Sequence, residues 1–92
     1  MKIVKAVHVN DGDNCVTLTD SACKGDTVSF TDGGAEKSVT AIEDILKWHK
    51  MAVSDIEKGG CIFKYGALIG TALANIKAGD CIHIHNMHSP GG

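Results

Sequence analysis

Three segments of this chain follow one short grammar: SACKGDTVSF at 21–30, DIEKGGCIFKYG at 55–66 and NIKAGDCIHIHN at 75–86. Each passes through Lys or Ala to a glycine, then a polar residue or a second glycine, then an alternating run. Gly25, Gly59 and Gly79 can adopt the positive φ that tight turns demand, and the run after each has the two-residue period of a strand. A chain punctuated in this way folds as several short strands joined by tight turns. The segments are unevenly spaced, so the pattern is not that of a solenoid.

The remaining stretches mostly agree. MKIVKAVHV alternates and reads as a first strand, NDGDN as a turn, CVTLT as a second strand and TDGG (31–34) as another turn. TAIEDILKWHKMAVSDI departs from this pattern. Ile42, Ile45, Leu46 and His49 have helical spacing, so periodicity predicts a short helix over 41–47. TALANIKAG (71–79) admits a helical turn, although its end repeats the glycine turn. In CIHIHNMH (81–88), alternation predicts a strand with Ile82 and Ile84 on one face. His83 and His85 would share the other face, with Cα atoms roughly 7 Å apart. SPGG reads as a flexible stop.

The chain has 92 residues, 43% of them hydrophobic, which predicts one domain over 1–92, a complete small subunit or an excised module. A domain of this size buries only about two-thirds of the surface its unfolded chain exposes, so it cannot enclose a large active site by itself. Nine basic residues stand against eleven acidic ones with neither sign gathered in a block, and aromatic residues amount to 4%. Nucleic acid is therefore a poor partner. No signal-peptide pattern or membrane-length apolar run occurs, which predicts a soluble, cytoplasmic protein. Cys15, Cys23, Cys61 and Cys81 form no C-x-x-C pair and read as small hydrophobes in a reducing compartment.

The stretch WHKMAVSDIEKGGCIFKYGALIGTALANIKAGDCIHIHN resembles the small amino-terminal domain of the altronate and galactarate dehydratase family. The resemblance is carried by His49, Lys50, Asp55, Ile56, Gly59, Lys64, Tyr65, Gly66, Ile69, Gly70, Ile76, Gly79, His83, His85 and Asn86. Upstream, Asp13 and Asn14 match the family's HPxDNV. Asn10 and Asp11 replace the His and Pro of that motif, Trp48 replaces the glycine before His49, and Asp80-Cys81 departs before the terminal histidines. A glycine at position 48 would indicate a special backbone angle.

The resemblance implies a mainly β fold, a compact β-clip of the SAF, or antifreeze-like, type. Its strands would be short and bent, with at most one or two short helical turns. It further implies a small subunit of a sugar-acid hydro-lyase working with a large dehydratase subunit and a divalent metal, commonly iron(II), shared between them. A homo-oligomer is compatible with this. Alternatives are a stand-alone sugar-acid or metal-binding module without turnover, and the small subunit of sulfolactate sulfo-lyase, to which the chain is also similar.

Elimination of water from a sugar acid removes a weakly acidic proton beside the carboxylate. Such a site therefore needs a base within hydrogen-bond reach and a cation or metal to hold the enediolate. The resemblance assigns metal ligation to His83 and His85, and catalytic roles to His49, Lys64 and Tyr65. Substrate contacts fall to Asp13, Asn14, Lys50 and Asn86. On the residues alone, the histidines read rather as polar groups on a solvated sheet face than as ligands; the lysines also read as solvated charges, Tyr65 as a half-buried ring and Asp13-Asn14 as turn formers. His8 and His88 match no motif.

Overall fold

The computed structural model describes residues 2–83 and 85–89. Nine strands make up its regular structure: β1 (Ile3–Val7), β2 (Cys15–Leu18), β3 (Thr27–Asp32), β4 (Ala35–Thr40), β5 (Lys50–Ala52), β6 (Cys61–Lys64), β7 (Ala67–Ala72), β8 (Cys81–Ile82) and β9 (Met87–His88). They form a six-stranded sheet ordered β4-β3-β1-β2-β5-β8 and a three-stranded sheet ordered β6-β7-β9. The β1–β3 pair is parallel and every other pairing is antiparallel.

The alternation of each strand decides which face it buries. Val4, Val16, Leu18, Val28, Phe30, Met51 and Cys81 point to one side of the large sheet, where Ala22, Ala41 and Ile45 from the loops complete a core. Cys15, Ala52 and Ile82 point to the other side and pack with Ile56, Ile62, Ala72 and Ile76, partly from the small sheet. Strands β2, β5 and β8 are thus sandwiched between two cores, which explains their near-continuous apolar sequences. By contrast, β4 at the sheet edge is exposed along almost its whole length.

The glycine turns expected from the sequence are present, and there is a fourth. Loops 21–26, 44–49, 55–60 and 75–80 share one conformation, a bridge residue followed by a two-residue turn. They associate in pairs: Ala22 bridges Ile45, and Ile56 bridges Ile76, each through two backbone hydrogen bonds. Within each pair the residue before the bridge caps the opposite loop. Asp44 accepts from the Lys24 N–H and Ser21 from that of Lys47, while Asp55 accepts from Ala78 and Asn75 from Lys58. The turn residue has positive φ in all four: Gly25 at 94°, Trp48 at 69°, Gly59 at 84° and Gly79 at 96°. At Gly79 a Cβ would also run into the Thr40 carbonyl oxygen, so glycine is required there twice over.

Three sequence expectations are corrected here. Residues 41–47 are not helical: Ile45 pairs with Ala22 instead, because the helical spacing of the apolar residues is that of a bridge-and-turn loop whose Ile45 enters the core. Residues 71–79 likewise end β7 and then form the last of the four loops. The histidine run is not one strand either, since β8 ends at Ile82 and a turn through Asn86 leads into β9. Ile84, which that strand would have placed beside Ile82, lies outside the described residues, as do Pro90 to Gly92 of the terminal SPGG. The fold is mainly β, as expected. Among the described residues no helix is long and apolar enough to cross a membrane.

Candidate functional site

Lys50 pairs with Ile82 and Met51 with Cys81 in the antiparallel β5–β8 ladder. Extending that register by one residue sets His49 opposite His83, where directly facing side chains touch. Their rings accordingly lie 5.0 Å apart between centroids, tilted by 42°. His83 is exposed and His49 is half-buried at this end of the ladder.

The turn that presents His83 is built by Asn86. Its carboxamide oxygen accepts the His83 N–H at 2.9 Å, its Nδ2 donates to the Cys81 carbonyl at 2.8 Å, and its own N–H donates to the His83 carbonyl. Asn86 is only 9% exposed, so its polar atoms face the chain. His85 lies in the same turn and is exposed, and among the described residues its ring contacts no other ring. The structure therefore brings the His49 and His83 rings together.

A second cluster forms at the β6–β7 hairpin. Lys64 and Ala67 close a two-residue turn in which Tyr65 (φ 56°) and Gly66 (φ 74°) both lie in the left-handed region, as a type I′ turn requires. Tyrosine is an expensive choice there. Asp13 offsets it: its two carboxylate oxygens accept the Tyr65 and Gly66 N–H groups, each at 2.8 Å, and one also faces the Asn10 N–H at 3.3 Å. Asn14 extends the clamp by donating to the Cys61 carbonyl and accepting the Phe63 N–H, as a paired strand residue would. The Lys64 ammonium lies 4.8 Å from the centroid of the Tyr65 ring, which is itself half exposed.

Cys15 is buried on β2. Burial pushes its thiol up to about 11, opposed by the charges of Lys50 and Lys64, so both lysines lie within electrostatic reach of it. Its Sγ donates to the Phe63 carbonyl at 3.4 Å. Burial also raises Cys81, reinforced by the Glu43 carboxylate, whose Oε2 accepts the Cys81 N–H. His8 has its side chain buried, with its ring nitrogens 2.8 Å from the Asp13 carbonyl and 3.3 Å from that of Thr31. A surface cleft of about 240 Å³ between the third and fourth loops is lined by Asp55, Ile56, Glu57, Asn75, Ile76 and Lys77, none of them at either cluster.

Sequence reasoning left Glu43 and Trp48 without roles and did not see loop 44–49 as a fourth repeat. The signal was present: D-I-x-K recurs at 44–47 and 55–58, with Trp48 where the other copy has Gly59.

Comparison with known proteins agrees with this architecture. Residues 4–90 match the family described as the altronate/galactarate dehydratase SAF domain. The chain is 39% identical over 80 residues to altronate dehydratase of Escherichia coli (strain K12), covering 87% of this chain and 15% of that protein. It is 41% identical over 49 residues to altronate dehydratase of Bacillus subtilis (strain 168), covering 53% of this chain and 10% of that protein. The chain thus spans a small fraction of the length of these relatives, and the matched region contains both clusters. On these grounds it belongs to the SAF domain family of the altronate and galactarate dehydratases.

Proposed function

We propose that this chain is the small component of a sugar-acid dehydratase, an inactive part on its own that adds the His49–His83 edge and the Lys64–Tyr65 tip to an active site completed by a large catalytic part. The observation that carries this reading is the cross-strand imidazole pair at the end of a ladder, its His83 exposed and presented by a turn that Asn86 holds. It is half of a site. Two imidazoles suit a borderline divalent ion such as iron(II), yet among the described residues no group of three or more His, Cys, Asp or Glu could hold one. The remaining ligands would come from the large part, where most of the length of the relatives lies.

When bound, such an ion supplies positive charge to the enediolate that forms as the proton leaves the carbon beside the carboxylate. His49 and His83 would hold it or, as neutral imidazoles, would accept that proton. Lys50 and Lys64 bring positive charge to the substrate carboxylate, and the Tyr65 hydroxyl donates to a substrate oxygen. Asp13, Asn14 and Asn86 shape the two presenting turns, and His85 serves as a further ligand from the same turn. The enzyme acts in carbohydrate metabolism on altronate or galactarate.

The test is reconstitution. The large dehydratase part from the same organism, produced separately, is assayed on altronate and on galactarate with and without this chain. Formation of the keto-deoxy acid should depend on the chain and fall at least 100-fold with His83→Ala. Activity indifferent to omission of the chain defeats the reading.

A further inference from the structure

The four equivalent loops serve as one another's controls, and loop 44–49 is the one that departs. After the bridge residue the other three carry Cys23, Glu57 or Lys77, whereas this loop carries Leu46. At the positive-φ position they carry glycine, whereas this loop carries Trp48. At the next position Asp26 and Asp80 turn back to cap their own loops, accepting the Cys23 and Lys77 N–H groups at 2.9 and 3.0 Å. Here that position is His49, which faces His83 instead.

Each departure is locally unfavourable. A bulky side chain in the left-handed region costs free energy that glycine does not, and the loop, like loop 55–60 with Gly60 at that position, lacks the carboxylate cap. Among the described residues little offsets this: Trp48 and Leu46 are each 63% exposed, and the indole's charged neighbour is the Lys47 ammonium at 5.2 Å. Strain that the fold leaves uncompensated points to a contact outside it. Trp48 immediately precedes His49 in the chain, so the exposed indole and the imidazole pair are carried by adjacent residues.

From this we infer that Leu46 and Trp48 form the seat for the large catalytic part of the dehydratase, with Trp48 as the anchor beside the shared site. The inference rests on the reading of this chain as a dehydratase component. That reading supplies the occupant, since the chain spans only 15% of the length of its Escherichia coli relative and its imidazole pair needs completion from elsewhere. Interfaces of this kind concentrate their affinity in one or two buried aromatic anchors.

The experiment measures binding of the separately produced large part from the same organism to the wild-type chain and to Trp48→Gly, Leu46→Ser and Ile3→Ser. Each variant is also melted. Trp48→Gly restores the residue used by the sister loops and should melt at or above the wild-type temperature while binding at least tenfold more weakly. Leu46→Ser should also weaken binding, and Ile3→Ser, an equally exposed apolar residue on β1, should not. Binding of Trp48→Gly and Leu46→Ser within twofold of wild type overturns the seat and leaves the dehydratase reading intact. A Trp48→Gly chain that melts roughly 5 °C or more below wild type shows that the indole serves the fold, and also overturns it. If the wild-type chain does not bind the large part at all, both fall together.

Discussion

A carboxylate whose two oxygens face successive backbone amides, as Asp13 faces those of Tyr65 and Gly66, holds a turn that its own residues would not choose. Asp13 is 5% exposed, so its removal leaves those amides without a buried partner. Asp13→Ala should lower stability by about 2–3 kcal/mol in urea unfolding, and Asp13→Asn by less, because the carboxamide oxygen still accepts from one of the two amides. Cys15 gives a second prediction at this scale. Its thiol ionises higher in the folded chain than in the unfolded one, so the associated stability is complete below about pH 9 and lost as the pH rises toward about 11. The loss should approach about 2 kcal/mol at pH 11 and be absent from Cys15→Ala, as read by unfolding at a series of pH values. The motif residues were legible in the sequence because Asp13, Asn14 and Asn86 sit in recognisable words. Their hydrogen bonds were not, since their partners lie 3 to 53 positions away.

At the scale of elements, the bridge-and-turn loops show how far local pattern reaches. Glycine before a strand was enough to place three of them. The fourth was read as a helix because Ile42, Ile45 and Leu46 have helical spacing and Trp48 hides the turn. Helical spacing and a loop that sends one residue inward produce the same short pattern, and only the pairing of Ile45 with Ala22 separates them. The loops also carry an acid dependence. The Cys23 and Lys2 backbone N–H groups hold the Asp26 carboxyl below its ordinary range, so this aspartate stabilises the fold above about pH 4 and less as the pH falls further. Asp26→Asn should therefore flatten the acid limb of a stability–pH profile while lowering the plateau. An unchanged limb would show that other carboxylates govern acid unfolding.

For the whole molecule, β2, β5 and β8 matter most because both their faces are buried, one in each core. Ile82 lies at the centre of the second core, and Ile82→Ala should cost about 2–5 kcal/mol, a large part of what a domain of this size has. Thermal melting checks this, and loss of both cores in one transition is the expected form. The alternating runs and glycine turns of the chain were sufficient by themselves to determine several short strands joined by tight turns, because side-chain period and positive φ are local properties of a few neighbouring residues. Resemblance carried in the same words located the family and the residues worth inspecting. What the tertiary structure alone decided was which of those residues meet. His83 faces His49 because the β5–β8 register sets position 49 opposite 83. A ladder register is fixed by the packing of two cores across distant strands, and no short window of sequence contains that information.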